Sequence, residues 1–169
     1  MNFYKSSYIP LVDEVAYFLY RRAIKFHNLL IRRNVKGISS KARIGSLCTI
    51  EKNVFIAQGT YLGEYCQLFA GVNSKIVIGE YCAIGNNVKI KARTHDFKKY
   101  TPDENGPNIR KEEDILIGNH VWLGDNVFIR EGIHIGDGAV VAANSVVTKN
   151  IGYNEIWGGV PAKKIRDIT

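Results

Sequence analysis

Aliphatic residues recur at every sixth position over most of this 169-residue chain. Glycine often follows the aliphatic residue, and a small or β-branched residue stands four positions after it. A period of six does not fit an α-helix, whose face repeats near 3.6 residues. A short strand with two inward side chains and a tight corner fits it, because glycine permits the corner backbone. The sequence therefore predicts an all-β solenoid whose stacked turns bury one another. The aliphatic series is Ile38, Ile44, Ile50, Ile56, Leu62 and Leu68; then Ile78, Ile84 and Ile90; then Ile117, Leu123, Ile129, Ile135, Val141 and Val147.

The pattern [Ile/Leu/Val]-Gly-x-x-[small]-x resembles that of the hexapeptide-repeat acyltransferases, over about residues 38–166. In that family three hexads form one coil of a left-handed parallel β-helix, which is the fold the resemblance implies. Cys48 and Cys66 are eighteen residues apart, so the resemblance stacks them one coil above the other. We interpret them as small core residues, since nothing near them in the sequence lowers a thiol pKa.

The six-residue repeat is interrupted between Lys89 and Gly118, and His95 lies where the interruption begins. We expect an excursion loop over about residues 92–114. Long excursions from compact domains are usually functional, which makes His95 a candidate catalytic residue. His27 and His134 are interpreted as surface groups, and His120 as an ordinary polar position of a hexad.

The flanking segments strengthen that candidate. IGNNVKIKARTHDF, IGNHVWLGDNVFIREGIHIGDGAVVAANSVVTKNI and GGVPAKKIR resemble, in this order, the catalytic half of bacterial sugar and antibiotic O-acetyltransferases. The resemblance makes His95 the general base, because neutral imidazole can take a hydroxyl proton and return it to a leaving thiolate. A backbone N–H of the coil is expected to stabilise the oxyanion. Asp96 and a backbone carbonyl remain alternatives for orienting the imidazole.

The same resemblance implies acetyl-CoA as co-substrate, lying along the coil edge between subunits of a homotrimer. The thiol arm would pass Ala142, Ala143 and Ser145. The phosphates of the co-substrate would lie near Thr148, Lys149, Lys163 and Arg166. Alternatively, Lys149, Lys163 and Arg166 only solvate the C-terminal tail. Trp122 would flank the acyl site or pack between subunits, and Asn73 matches a region that contributes to acceptor binding.

One departure concerns Asn144, where many sugar acetyltransferases have glycine and the antibiotic branch often has asparagine. This position therefore does not decide between the two branches, and it puts in doubt any role that needs glycine.

The N-terminal segment, residues 1–37, is predicted to be separate from the acetyltransferase domain at 38–169. Apolar residues recur at helical spacing between Asp13 and Arg33, which predicts a basic amphipathic helix. All of the net charge of +7 lies in residues 1–43, which hold nine Lys and Arg against two acidic residues. The helix would cap the solenoid with its apolar side and expose its basic side, or would contact anionic lipid.

Composition and charge argue against nucleic-acid binding and predict where the protein is located. The body of the chain is neutral and has no basic stripe for nucleic acid. The absence of a signal-peptide pattern or a long apolar run predicts a cytoplasmic protein, peripheral at the inner face of the membrane if the helix binds lipid.

We therefore expect an O-acetyltransferase acting on a sugar of a cell-surface polysaccharide or its precursor. The alternatives are a xenobiotic acetyltransferase of the chloramphenicol or streptogramin type and a sugar N-acetyltransferase. No metal is expected, because a γ-carbonic anhydrase site needs three converging histidines that this spacing does not provide.

Overall fold

The computed structural model describes residues 10–96 and 110–169. These residues form a helix, α1 at Pro10–Asn34, and a series of short strands. The strands are β1 (Arg43–Ile44), β2 (Thr49–Ile50), β3 (Val54–Ile56), β4 (Tyr61–Leu62), β5 (Gln67–Phe69), β6 (Ile76–Ile78), β7 (Ala83–Ile84), β8 (Lys89–Lys91), β9 (Arg93–His95), β10 (Arg110–Glu112), β11 (Ile115–Ile117), β12 (Trp122–Leu123), β13 (Phe128–Ile129), β14 (His134–Ile135), β15 (Val140–Val141), β16 (Val146–Val147), β17 (Glu155–Gly159) and β18 (Ala162–Asp167).

The chain visits three parallel sheets in rotation, and one circuit is called a coil below. Sheet 1 has the order β1-β4-β7-β12-β15-β17-β18, sheet 2 the order β16-β13-β8-β5-β2, and sheet 3 the order β14-β11-β6-β3. Strands β17 and β18 pair antiparallel and end sheet 1. Partners in adjacent coils are eighteen residues apart where the repeat is regular, as in Arg43 with Tyr61 and Trp122 with Val140. The hexad spacing thus becomes the strand register of a parallel β-helix.

The aliphatic series forms the centre of the solenoid. Ile84, Leu123 and Ile129 are completely buried, and twelve of the fifteen members of the series are buried. The cysteines lie in the same core, where the Sγ of Cys66 donates to the Gly85 carbonyl oxygen at 3.2 Å. Burial raises the pKa of the Cys82 thiol. The interpretation of Cys48 and Cys66 as core residues is confirmed.

Asparagines line one corner of the solenoid. Asn87, Asn126 and Asn144 have φ of 54°, 60° and 60°, a left-handed conformation that asparagine and glycine tolerate best. Their amides also form a ladder, with Nδ2···Oδ1 distances of 2.8 Å from Asn87 to Asn126 and 3.0 Å from Asn126 to Asn144. Asn144 thus has a backbone conformation that glycine also adopts readily.

The N-terminal helix packs on the first coil, but not through its apolar side, so the orientation predicted for the capping alternative is wrong. The apolar positions Val15, Leu19, Phe26 and Leu30 are exposed by 50%, 59%, 61% and 39%. The other side of the helix is the one that packs. There the side chains of Asn28 and Arg32 donate to backbone carbonyls of the first coil.

The physical reason is the open edge of the first coil, whose carbonyl groups have no preceding strand to satisfy them. Only polar side chains can supply the donors. Asn28 Nδ2 lies 3.0 Å from the Ile44 oxygen, and the two terminal nitrogens of Arg32 lie 3.0 and 2.5 Å from the oxygens of Ser39 and Ala42. His27, interpreted from the sequence as a surface group, is half-buried with Nε2 2.9 Å from the Cys48 oxygen.

Candidate active site

Two departures from the eighteen-residue spacing fall in consecutive coils. Tyr61 pairs with Ala83, twenty-two residues on, and Ala83 pairs with Trp122, thirty-nine residues on. The coil that begins at Tyr61 is thus four residues longer than a regular coil, and the coil that begins at Ala83 is twenty-one residues longer. Both extra segments emerge at the corner between sheets 2 and 3, so one lies directly beside the other.

The short insertion anchors the long one. Glu112, at the returning end of the excursion, accepts a hydrogen bond from the Asn73 backbone N–H at 2.6 Å. Asp114 accepts one from the Lys75 backbone N–H at 2.9 Å. A Cβ at Gly71 would lie 2.0 Å from the Glu112 carboxylate oxygen. Glycine at 71 is therefore what lets the carboxylate reach the backbone of the insertion.

The excursion leaves the solenoid as a two-stranded antiparallel ribbon. Strands β9 and β10 pair with His95 opposite Arg110 and Arg93 opposite Glu112. His95 is thus the last strand residue before the described chain stops at Asp96. The centre of the predicted loop, residues 97–109, lies outside the described residues.

His95 lines a cleft of about 510 Å³ on the outer face of sheet 2. Thr148, predicted to contact the co-substrate phosphates, lines the same cleft, and so does Asp96. The sequence-based prediction did not include the remaining lining residues. They are Lys91, Arg93, Thr94, Lys111, Phe128, Arg130 and Glu131.

Three of these residues share one charge network. Glu131 is 6% exposed and accepts hydrogen bonds from Arg130 and, at 3.5 Å, from Lys111 Nζ. Burial acts to raise the pKa of the Glu131 carboxyl, but the hydrogen bond from Arg130 and the nearby positive charges outweigh it and lower that pKa. Lys111 also pairs with Glu113 at 3.0 Å. The floor of the cleft is therefore an ionised carboxylate held between two cations.

Two further cations stand over an aromatic ring on the same face. Lys91 Nζ lies 5.5 Å and the Arg93 guanidinium carbon 6.0 Å from the centroid of the Phe69 ring. Arg93 also pairs with Glu51 at 2.6 Å. The cleft lining counts four basic side chains against the two carboxylates of Asp96 and Glu131. Glu51 and Glu113 pair with two of these cations, Arg93 and Lys111, so the cleft and its immediate partners hold as many carboxylates as basic side chains.

The residues predicted for the thiol arm lie at the corner after β15. Ala142 and Ala143 are exposed, whereas Ser145 is fully buried. The Ser145 hydroxyl donates to the Ala142 oxygen at 2.6 Å and accepts from the Gly159 N–H at 3.1 Å. The side chain of Ser145 therefore joins the corner to the β17–β18 hairpin, and the exposed surface at this corner is that of the two alanines and Asn144.

The hairpin carries Lys163 and Arg166 next to that corner, both exposed. Lys163 pairs in register with Gly158, and a Cβ at Gly158 would lie 3.1 Å from the Ala142 Cβ. Lys164, between them, is held by Glu155 at 2.8 Å and Asp167 at 2.7 Å. The structure thus groups Ala142, Ala143, Lys163 and Arg166 at one end of the solenoid.

Other predicted residues lie away from the cleft within one chain. Trp122 is on sheet 1 and is 56% exposed. Asn73 is an exposed residue of the short insertion, and Lys149 is exposed one position beyond Thr148. Within residues 10–96 and 110–169, no three His, Cys, Asp or Glu side chains are arranged to hold a metal ion.

Comparisons with known proteins agree with this architecture. A family model described as bacterial transferase hexapeptide (six repeats) matches residues 114–149. A comparison with curated proteins finds no match.

Three solved structures illustrate the likeness. A galactoside acetyltransferase in complex with coenzyme A is 28% identical with a TM-score of 0.74, over 84% of this chain and 70% of that one. A maltose O-acetyltransferase from Clostridium difficile 630 is 26% identical with a TM-score of 0.71, over 84% of this chain and 74% of that one. The polysialic acid O-acetyltransferase OatWY is 30% identical with a TM-score of 0.62, over 75% of this chain and 61% of that one.

These findings confirm the resemblance to the hexapeptide-repeat acetyltransferases that the sequence predicted. They also confirm the predicted enzyme class, an acetyl-CoA-dependent acyltransferase.

Proposed function

We propose that this enzyme transfers an acetyl group from acetyl-CoA to a sugar hydroxyl, with His95 as the general base. The observation that carries the proposal is the position of His95. It stands at the mouth of the excursion and lines the same cleft as Thr148. The matched hexapeptide repeat and the acetyltransferases of similar fold support the reaction class and a left-handed hand for the β-helix.

The proposed chemistry needs one proton carrier. The His95 imidazole accepts the proton of the acceptor hydroxyl as its oxygen attacks the thioester carbonyl, and returns that proton to the departing CoA thiolate. The C–O bond of the ester forms, the C–S bond breaks, and the enzyme is regenerated without a covalent intermediate. A backbone N–H of the coil would stabilise the oxyanion.

The proposed donor site uses the corner and the hairpin. Ala142 and Ala143 would let the thiol arm approach the backbone, and Ser145 would contribute by holding that backbone in place. Lys149, Lys163 and Arg166, with Thr148, would meet the phosphates. Because Lys164 is already paired with Glu155 and Asp167, Lys163 and Arg166 are the hairpin cations proposed to bind the phosphates.

The proposed acceptor is a sugar of a surface polysaccharide or its precursor. The four basic side chains that line the cleft supply N–H donors for the acidic groups of a glycan or of a phosphate-bearing precursor, which supports this acceptor class. The similarity to a polysialic acid O-acetyltransferase points the same way, because polysialic acid carries carboxylates. We place the reaction in the cytoplasm.

The proposed active unit is a homotrimer. Trp122 lies on sheet 1 and His95 beside sheet 2, so a pocket containing both needs a second chain. Trp122 of one subunit would then flank the cleft of its neighbour, and Asn73 would contact the acceptor from the base of the excursion.

The test is thiol release from acetyl-CoA by the wild type, His95→Ala and the matched control His134→Ala. His134 is exposed on a regular coil and does not line the cleft. The acceptor panel contains neutral sugars, acidic glycans, nucleotide-sugars, amino sugars and chloramphenicol. Loss of the general base is expected to lower the rate by about a hundredfold to ten-thousandfold, with the control unchanged.

Each result decides a separate part of the proposal. A His95→Ala enzyme as fast as wild type with every acceptor refutes the role of His95. Turnover with chloramphenicol alone keeps the mechanism and replaces the acceptor. Turnover with amino sugars alone makes nitrogen the acceptor atom.

A further inference from the structure

An apolar stripe runs along the side of α1 that faces away from the solenoid. It consists of Val15, Leu19, Phe26 and Leu30, with Phe18 and Leu29 beside it at 56% and 61% exposure. Several large apolar side chains exposed on one side of a helix mark an interaction site. The stripe is separate from the cleft and takes no part in the proposed reaction.

Over the last turns of α1, the opposite side already has its partner. Ile31 is 8% exposed, and Asn28 and Arg32 hydrogen-bond to the first coil. The helix cannot turn its stripe inward without giving up the donors that satisfy the open edge of that coil. The stripe therefore stays outward and would be covered from outside.

Basic side chains accompany the stripe. Arg21, Arg22 and Lys25 lie in the same turns of the helix, in a segment that carries the entire net charge of the chain. The Arg21 guanidinium carbon is 5.8 Å from the Tyr17 ring centroid and that of Arg22 is 5.0 Å from the Phe18 ring centroid. Arginine stacked over an exposed aromatic ring places charge and apolar surface side by side, as at the interface of a bilayer.

The charge also selects among occupants. A second copy docking through the same face would bring two strongly basic segments together, which costs free energy. An anionic surface reverses the sign of that interaction. No helix among the described residues is long and apolar enough to cross a membrane, so the helix would lie on a membrane surface.

We propose that α1 docks this enzyme onto an anionic lipid surface. The apolar stripe enters the boundary between headgroups and acyl chains, and Arg21, Arg22 and Lys25 contact lipid phosphates. The polar side of the same helix continues to cap the first coil.

The experiment is co-sedimentation of the full-length chain with phosphatidylcholine vesicles and with vesicles that also contain phosphatidylglycerol. One variant combines Leu19→Ser and Phe26→Ser, and a second combines Arg21→Gln, Arg22→Gln and Lys25→Gln. Tyr153→Ser removes an aromatic side chain that is 74% exposed at the other end of the solenoid and serves as control. Oligomeric mass and thiol release are measured on the same samples.

The wild type and Tyr153→Ser are expected to bind the anionic vesicles and to bind the neutral ones far more weakly. The charge variant should bind about a hundredfold more weakly, from roughly fivefold per cation. The apolar variant should lose on the order of tenfold or more.

Three outcomes would overturn the proposal. They are no binding to any vesicle, equal binding to neutral and anionic vesicles, and a change of oligomeric mass in the apolar variant without a change in vesicle binding. The last would show that the stripe contacts another copy. Thiol release is expected to be unchanged in all variants, so a failure here is distinguishable from a failure of the proposed reaction.

Discussion

The coils at residues 122–147 and those at residues 61–117 share one core but differ at the surface. In the later coils, partners stay eighteen residues apart on both sheet 1 and sheet 2. In the earlier coils, the chain leaves twice at one corner, yet Ile90 before the excursion and Ile115 after it are both fully buried. A solenoid thus accepts a long insertion wherever both ends can return to the same corner, because the stacking of the core is not interrupted.

The two regions are joined by an ion pair. Lys111 belongs to the ribbon of the excursion, and Glu131 belongs to a regular coil. The buried carboxylate therefore holds the excursion against the solenoid, and the cleft containing His95 lies between them.

The largest stability effect is expected from the regular core. Ile129→Ala removes a fully buried side chain and should lower the free energy of unfolding by about 2–5 kcal/mol. Leu116→Ala, at a position 37% exposed on β11, is the control. Denaturant titration measures both. Equal losses would mean that the inward positions are not what stabilises the coil.

A smaller effect is expected where the two regions meet. Glu131→Gln keeps the shape but removes the charge, and should cost about 1.5–3 kcal/mol at neutral pH, as for hydrogen bonds to charged groups. Because the folded state lowers the pKa of Glu131, its contribution is complete above the ordinary carboxyl pKa and disappears as the pH falls through the lowered value.

Unfolding of wild type and variant across the acidic range checks this sign. A stability difference between them that grows on acidification would contradict it.

The smallest effect on stability is expected at the base of the excursion. Gly71→Ala displaces the Glu112 carboxylate from the Asn73 N–H and should cost about 1 kcal/mol, as for one hydrogen bond. The rate of thiol release should fall by a larger free-energy equivalent than the free energy of unfolding, because the ribbon that positions His95 loses a hydrogen bond to the short insertion. In a Glu112→Ala background the same substitution should have little further effect. An additive loss in the double variant would show that the two residues do not act through this contact.

The sequence was sufficient for features that repeat. Ile84 and Leu123 follow the spacing of six and are buried. His95, which lines the cleft, was singled out because the spacing stops beside it. The clustering of Lys91, Arg130 and Thr148 follows from strand register, in offsets of thirty-nine and eighteen residues. It was predictable only once the length of the excursion within a coil was known.

Contacts without a period were not predictable. Gly71 and Glu112 are forty-one residues apart, and nothing in either local pattern indicates that a carboxylate passes over a glycine. The orientation predicted for a capping α1 was wrong for a different reason. Helical periodicity reports which side is apolar, whereas the open edge of the first coil required donors from Asn28 and Arg32.

The three buried cysteines can report on local unfolding of the solenoid. Cys48, Cys66 and Cys82 belong to three successive coils, and each Sγ donates to a backbone carbonyl of the coil that follows. An alkylating reagent can reach each cysteine only when its coil separates from the neighbouring coils. The order in which the three cysteines are alkylated would therefore show whether the chain unravels from the helix-capped end or opens as one unit.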